Sequence, residues 1–239
     1  MKKKLVIGFD LFGTLIGSTY NGPKYYELLG HHARGFSSEY VAAAIRGQVM
    51  QFGSINWSID GERMWDQMDT PDEEWYRILL RTRLGACFDQ NPNMHDLGDE
   101  DKLVGVDPEQ VIRCWKAENE ALAWLPGAEQ TLSQVKDLGT LVLATNITIV
   151  GRSAVYDLLP ELSPLFRRCY WSCDLPAAKP DPYVWQRIQQ DYPADQYWMI
   201  GDNFLIDLAI PAAMGWQTIL VGKDGVPITQ VPQIIKEGP

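Results

Sequence analysis

Several short segments of the chain are apolar at every position rather than at alternate positions. Such runs are typical of strands that are buried on both faces, as in a parallel sheet. The first run is Leu5–Phe9, which lies between Lys4 and Asp10. Comparable runs occur later in the chain, at residues 141–144, 197–200 and 218–221, with a weaker one at 169–171. The pattern therefore predicts a buried, mainly parallel sheet.

Segments with helical periodicity separate these runs. Residues 128–138, 181–190 and 205–214 each repeat apolar positions at the spacing of one helix face. In the second of these segments, Trp185 is expected to point into the core. Strands that alternate with helices imply right-handed crossovers. The predicted fold class is therefore α/β, with a Rossmann-like, doubly wound parallel sheet.

Residues 17–123 show a different pattern. This stretch is rich in aromatic residues, its periodicity is helical, and it contains no strong strand run. The simplest interpretation is a helical domain inserted after the first strand. We therefore predict a Rossmann-like core formed by residues 1–16 and 124–239, and an α-helical cap formed by residues 17–123.

Composition narrows the function classes. The 239-residue chain is 46% hydrophobic and 22% charged, as in ordinary globular proteins. Its net charge of -10 argues against nucleic acid as a partner, yet a locally basic pocket would still accept a small anionic substrate. The first apolar run is too short for a signal peptide or a membrane span. We expect a cytoplasmic protein with no membrane partner, either a monomer or a homodimer.

Polar residues follow the predicted strands directly. Asp10 ends the first run, Gly13 permits a tight turn after it, and Thr14 offers a hydroxyl group nearby. Thr145 and Asn146 end a second run. In open α/β sheets, ligands bind at this carboxyl edge of the strands. Taken alone, Asp10 is equally well explained as a strand-end residue that caps a turn.

Two further segments extend this set. Lys179 opens a predicted helix, and Asp202 and Asn203 follow another strand run, with Asp207 five residues after Asp202. If these strand ends converge, three carboxylates including Asp10 would share one pocket with a single ammonium group. Such a cluster is costly unless cations neutralise it. The excess negative charge predicts a bound Mg²⁺.

The four segments, taken in order, resemble the four motifs of the haloacid dehalogenase (HAD) superfamily. They are the run Asp10-Leu11-Phe12-Gly13-Thr14, the pair Thr145-Asn146, the pair Lys179-Pro180, and Gly201-Asp202 with Asp207. The resemblance implies a hydrolase with a Rossmann-like core and a helical cap. Most such enzymes hydrolyse phosphate esters with Mg²⁺, and some cleave carbon–halogen bonds without a metal.

The resemblance also implies a role for each catalytic candidate. Asp10 would be the nucleophile that forms a covalent ester or phosphate. Thr14 would orient it, and Thr145 and Asn146 would bind the transferred group. Lys179 would hold Asp10 and the developing charge in place.

The implied metal ligands are Asp10, Asp202 and the backbone carbonyl of Phe12. Asp207 would support this ligand set. Asn203, next to Asp202, is assigned to substrate binding, as is the side chain of Phe12.

Phe12 departs from the phosphatase pattern. Phosphatases of this superfamily usually carry a second Asp two residues after the nucleophile, which protonates the leaving group and later activates water. Phe12 does neither, and such help is typically worth about 10²–10⁴-fold in rate. Three explanations stay open. The leaving group needs no proton, the cap supplies another acid such as His31 or His32, or the protein is a catalytically silent binder.

An aromatic residue at this position resembles the dehalogenases of the superfamily, which also hold the substrate with a cap arginine. Arg46 is the candidate for that role, although a solvated helix residue is the commoner explanation for such an arginine. Asp202 points to the metal-dependent branch instead. We therefore predict a Mg²⁺-dependent phosphatase first, with a metal-independent 2-haloacid dehalogenase as the alternative.

Overall fold

The computed structural model of the chain describes residues 4–23, 108–147 and 149–238. Most of the predicted cap lies outside these described residues. The same is true of three residues that were singled out from the sequence, namely His31, His32 and Arg46. The fold and the site are therefore built from the predicted core and from the two ends of the predicted cap.

A five-stranded sheet forms the centre of the fold, and all four strand pairings in it are parallel. Its strands lie in the order β5-β4-β1-β6-β7. They comprise β1 (Leu5–Phe9), β4 (Thr140–Thr145), β5 (Arg168–Trp171), β6 (Gln196–Gly201) and β7 (Gln217–Leu220). Each apolar run in the sequence falls on one of these strands, which confirms the predicted α/β class.

Helices connect these strands. The α-helices comprise α1 (Pro108–Glu120), α2 (Ala128–Val135), α3 (Ile149–Leu158), α4 (Pro182–Asp191), α5 (Ala209–Ala213) and α6 (Val231–Glu237). Short 3₁₀ turns span Ser163–Leu165, Ser172–Asp174 and Ile228–Gln230, and a π-helical turn spans Phe204–Leu208. In the part of the chain that the structure describes, no helix is both long and apolar enough to cross a bilayer.

The helices cover both faces of the sheet because successive residues of a strand point to opposite sides. On one side, Ile7 and Phe9 of β1 belong to a core cluster that includes α2, α3 and α6. On the other side, Val6 belongs to a second cluster that includes α4 and Trp216. Trp185 of α4 is fully buried in the second cluster, as predicted. The sheet is therefore doubly wound.

Two short strands were not predicted. β2 (Ile16–Ser18) and β3 (Leu122–Trp124) pair in antiparallel fashion at the two ends of the segment that was expected to be helical throughout. Each strand has only three residues, so neither produces a run that can be recognised in the sequence. The chain therefore leaves β1 and returns to α2 along adjacent strands.

Two helix predictions need correction, and one helix was not predicted. The segment 128–138 is helical only to Val135, and 205–214 begins as a π-helical turn before α5. The helix that was not predicted is α6, near the end of the chain. It has seven residues and a proline in its first turn, so too few positions repeat to show a helical period.

Candidate active site

The central position of β1 places Asp10 in the middle of the carboxyl edge of the sheet. β1 lies between β4 and β6, so the residues that follow all three strands are neighbours. The Asp10 backbone N–H donates to the Ile200 carbonyl at 2.8 Å, which extends the pairing of β1 with β6 by one residue. This hydrogen bond fixes the backbone of the residue that was predicted to be the nucleophile.

Gly13 lets the loop after β1 approach the loop after β6 closely. Its φ of +81° lies in the left-handed region, and a Cβ at this position would lie 2.2 Å from Oδ2 of Asp202. The next residue, Thr14, is buried, and its hydroxyl lies 3.4 Å from Oδ2 of Asp10 and 3.5 Å from Oδ1 of Asp202. The Thr14 hydroxyl therefore lies near two of the predicted metal ligands.

Lys179 provides the positive charge of the pocket. Its ammonium group donates to Oδ1 of Asp10 and, at 2.7 Å, to Oδ1 of Asp207. All three side chains are buried, with exposed fractions of 3% for Lys179, 5% for Asp10 and 2% for Asp207. A buried ammonium group needs such partners, because desolvation is expensive for an unpaired charge. Lys179 therefore joins the loop after β1 to the loop after β6.

Asn146 holds the backbone of Lys179 in place. Its side-chain oxygen accepts from the Lys179 N–H, and its side-chain amide donates to the Lys179 carbonyl, both at 2.8 Å. Ser172 makes similar hydrogen bonds to the backbone of Ile147, the residue after Asn146. Its hydroxyl accepts from the Ile147 N–H at 2.9 Å and lies 3.1 Å from the Ile147 carbonyl. These hydrogen bonds join the segment after β4 to the segment after β5, which carries Lys179.

Asp207 is fully engaged by protein groups. One carboxylate oxygen contacts Lys179, and the other accepts from the Asn203 N–H at 3.0 Å. The Asn203 side-chain oxygen in turn accepts from the N–H groups of Leu205 and Ile206 and caps the π-helical turn. Gly201 is needed beside this carboxylate, since a Cβ there would lie 2.5 Å from the Asp207 Cβ. Asp207 thus anchors the loop after β6 to Lys179.

Asp202 completes a cluster of three carboxylates. One oxygen from each of Asp10, Asp202 and Asp207 lies within 4.8 Å of the others. Unlike the other two, Asp202 is exposed. Carboxylate oxygens at this spacing are the ligand set that hard divalent cations prefer. The cluster could therefore hold such an ion.

The pKa values in the cluster reflect its excess negative charge. Burial raises the pKa of Asp10 to about 7; the Lys179 ammonium opposes this rise and Asp207 adds to it. Burial tends to lower the pKa of Lys179, but the adjacent Asp10 and Asp207 outweigh it and the pKa is raised. Partial burial, and then Asp207, raise the pKa of Asp202. Added positive charge would favour the ionised carboxylates.

Phe12 brings no polar group to the pocket. Its side chain is half-buried and packs against the core cluster on the α2 side of the sheet. Its backbone forms a bridge with Ile16, and this bridge closes the loop after β1. The residue is thus built into the fold, two positions after Asp10.

The structure brings together five of the residues selected from the sequence, which are Asp10, Thr14, Lys179, Asp202 and Asp207. Thr145 is buried at the end of β4. The side chains of Asn146 and Asn203 hold protein backbone, a role that the sequence did not indicate. Ser172 was not selected at all, because an isolated serine after a strand gives no recognisable signal.

Comparison with known proteins assigns the family. The family model of haloacid dehalogenase-like hydrolases matches residues 5–215, which is most of the chain. A search of curated proteins found no match.

Solved structures show the same fold at low sequence identity. The 2-haloacid dehalogenase from Pseudomonas syringae pv. Tomato DC3000 has a TM-score of 0.52 and 17% identity, covering 98% of this chain and 99% of that one. A HAD phosphatase from Thermococcus onnurineus has a TM-score of 0.51 and 16% identity, covering 97% of each chain.

A third structure is the magnesium-bound putative HAD-hydrolase YfnB from Bacillus subtilis. It has a TM-score of 0.51 and 17% identity, and the match covers 95% of this chain and 90% of that one. At such identities the similarity supports the fold, and the family model supports the assignment. The chain therefore belongs to the haloacid dehalogenase-like hydrolases.

Proposed function

We propose that this hydrolase is a Mg²⁺-dependent phosphatase that acts on a small phosphorylated molecule. The observation that carries the proposal is the charge of the pocket. One oxygen from each of three carboxylates lies within 4.8 Å of the others, and among the described residues Lys179 forms ion pairs with two of them, Asp10 and Asp207. When all are ionised, the cluster keeps two uncompensated negative charges, which a divalent cation would neutralise.

The residues present fit such an ion. Asp202 lies at the exposed side of the pocket, and Oδ2 of Asp10 faces the same Thr14 hydroxyl. These two carboxylates, with the Phe12 carbonyl that the resemblance adds, would hold Mg²⁺. Both oxygens of Asp207 already bind protein groups, so it would support the site from behind. When bound, Mg²⁺ supplies a Lewis acid that offsets the charge of the phosphate group.

The protein's own side chains carry out the remaining steps of the proposed reaction. Asp10 attacks phosphorus and forms an aspartyl phosphate, which water then hydrolyses. Lys179 holds the attacking carboxylate and stabilises the charge that develops on the transferred group. Asn146 keeps Lys179 in position through the two hydrogen bonds to its backbone. Thr145, at the same strand edge, is proposed to bind the transferred group.

We also propose the division into a core of residues 1–16 and 124–239 and a cap of residues 17–123, with substrate selection by the cap. The short β2–β3 pair lies at the two junctions of this division. The proposed substrate is small and anionic, and the proposed location is the cytoplasm. Asn203 and Arg46 stay candidate substrate ligands in this proposal.

A second function is favoured by one observation. Phe12 places an aromatic ring, without a carboxyl group, two residues after Asp10. This feature suits a 2-haloacid dehalogenase, in which the leaving halide needs no proton. The Asp202 carboxylate favours the phosphatase instead, because a metal-independent reaction has no need of it.

Two assays separate these functions. The phosphatase releases p-nitrophenol from p-nitrophenyl phosphate only with Mg²⁺, and EDTA abolishes the release until Mg²⁺ is restored. The dehalogenase releases chloride from a 2-chloro acid at a rate that EDTA leaves unchanged. Chloride release without phosphatase activity would overturn the proposal in favour of the second function, and the absence of both reactions would overturn each of them.

A further inference from the structure

The described pocket contains a nucleophile and a counter-charge, but none of its side chains is placed to give a proton to a leaving group. Asp10 is the attacking group. Lys179 donates to two carboxylates, and loss of its proton would leave Asp10 and Asp207 buried without their counter-charge. Neither residue can serve as the general acid without giving up its role.

The other side chains that the structure describes near Asp10 do not supply a proton either. Both oxygens of Asp207 accept hydrogen bonds, one from the Lys179 ammonium and one from the Asn203 N–H, so this carboxylate presents no proton. As a metal ligand, Asp202 must be deprotonated. The Thr14 hydroxyl is a weak acid, and Phe12 has no proton to give.

Because the described side chains supply no general acid, we infer a preference for phosphates whose leaving group departs as a stabilised oxyanion. Such a leaving group is a carboxylate or a phenolate, and not an alkoxide. The inference rests on the proposed phosphatase activity. It adds a substrate class to it, namely acyl phosphates and phosphates of acidic hydroxyl groups.

The bond changes in the reaction explain this preference. In the first step, a bond forms between an Asp10 carboxylate oxygen and phosphorus while the bond from phosphorus to the leaving oxygen breaks. The electron pair stays on the leaving oxygen, and no proton moves from the protein. In the second step, water forms a bond to phosphorus and loses a proton to solvent, and the Asp10 carboxylate is released.

Leaving-group acidity therefore acts on the first step. A carboxylic acid has a pKa of about 4 and a phenol one of about 10, whereas an alcohol is nearly as weak an acid as water. Protonation of the leaving group by a general acid is worth about 10²–10⁴-fold, and this help is missing for an alkoxide. The difference should appear in kcat/KM, which reports the steps up to loss of the leaving group.

The test compares two substrates of nearly the same size and shape, p-nitrophenyl phosphate and p-nitrobenzyl phosphate, with the full chain and saturating Mg²⁺. The first releases a phenolate and the second an alkoxide. We expect kcat/KM for the benzyl ester to be at least about 10²-fold lower. Acetyl phosphate, which releases a carboxylate, should have a kcat/KM at least as high as that of p-nitrophenyl phosphate.

The Phe12→Asp variant tests whether the missing acid at position 12 causes the low rate with the benzyl ester. Phe12→Asn is the matched control, because Asn has the shape of Asp but no acidic proton. Phe12→Asp should raise kcat/KM for the benzyl ester at least about tenfold and Phe12→Asn should not. If both variants fail to fold, the ratio of the two esters in the unmodified chain still decides.

Values of kcat/KM within tenfold of each other for the two esters would overturn the inference while the phosphatase proposal stands. Such a result would mean that a group outside the described residues delivers the proton. If neither ester nor acetyl phosphate is hydrolysed with Mg²⁺, the phosphatase proposal and the inference fail together.

Discussion

Asp202 and Asp207 both follow β6 and are five residues apart, but one is exposed and the other is buried. Asp207 is buried, and each of its oxygens contacts a protein donor. Asp202 is exposed, and the Thr14 hydroxyl lies 3.5 Å from it. The buried side of the pocket is therefore complete in the protein alone, whereas the exposed side has spare acceptor capacity. We propose that this difference separates a carboxylate that supports the site, Asp207, from one that binds the metal ion, Asp202.

The largest effect on this arrangement is expected from Lys179→Met. Removal of the ammonium group leaves Asp10 and Asp207 buried without a counter-charge, and breaking such a buried pair costs about 3–5 kcal/mol of folding free energy. Loss of charge stabilisation should also lower kcat by about 10²-fold or more. Denaturant unfolding and steady-state kinetics measure the two effects.

The control for this change is Lys236→Met, which removes a lysine at the exposed end of α6. It should change neither stability nor rate appreciably. Equal destabilisation by the two variants would contradict the view that Lys179 holds the buried side of the pocket together.

Two matched variants, Asp207→Asn and Asp202→Asn, test whether the two aspartates have different roles. Asp207→Asn has a single side-chain oxygen for the two donors that Asp207 now serves, so it should lose about 1–3 kcal/mol of stability. Asp202→Asn should leave stability nearly unchanged, while the Mg²⁺ concentration for half-maximal activity rises at least about tenfold. Thermal unfolding without metal and a Mg²⁺ titration of activity test the pair. If the two variants behaved alike in both measurements, the distinction between supporting and ligating carboxylates would be lost.

The smallest effect is expected from Asn146→Ala. The change removes two hydrogen bonds to the backbone of Lys179, each worth about 1 kcal/mol net of the hydrogen bonds that water makes in the unfolded chain. Displacement of the lysine should lower kcat by up to about tenfold with little change in KM, because the substrate does not touch the lost hydrogen bonds. A change in KM alone would instead indicate that Asn146 binds substrate directly.

The sheet was predictable from the sequence because β1, β4 and β6 are buried on both faces and so appear as continuous apolar runs. The convergence of Asp10, Lys179 and Asp207 followed from that sheet, since the carboxyl ends of parallel strands share one edge. The strands that are buried on both faces were therefore the elements that the sequence predicted best.

What was missed depends on contacts between distant segments. β2 and β3 have three residues each and form only by pairing across about a hundred residues. The role of Asn146 depends on hydrogen bonds to the backbone of a residue 33 positions away, and a side-chain amide in a sequence does not indicate its partner. The π-helical turn that presents Asp207 likewise involves Asn203 as a cap, which apolar periodicity does not reveal.

We propose Asp10 as the covalent nucleophile at the edge of the sheet where these strand ends meet. The most direct test is rapid acid quenching of the enzyme during turnover of p-nitrophenyl phosphate with Mg²⁺, followed by mass spectrometry of its peptides. We predict one phosphoryl group on Asp10, and neither phosphorylation nor turnover in Asp10→Asn. Sustained turnover by Asp10→Asn, or a phosphoryl group on another residue, would show that Asp10 is not the nucleophile.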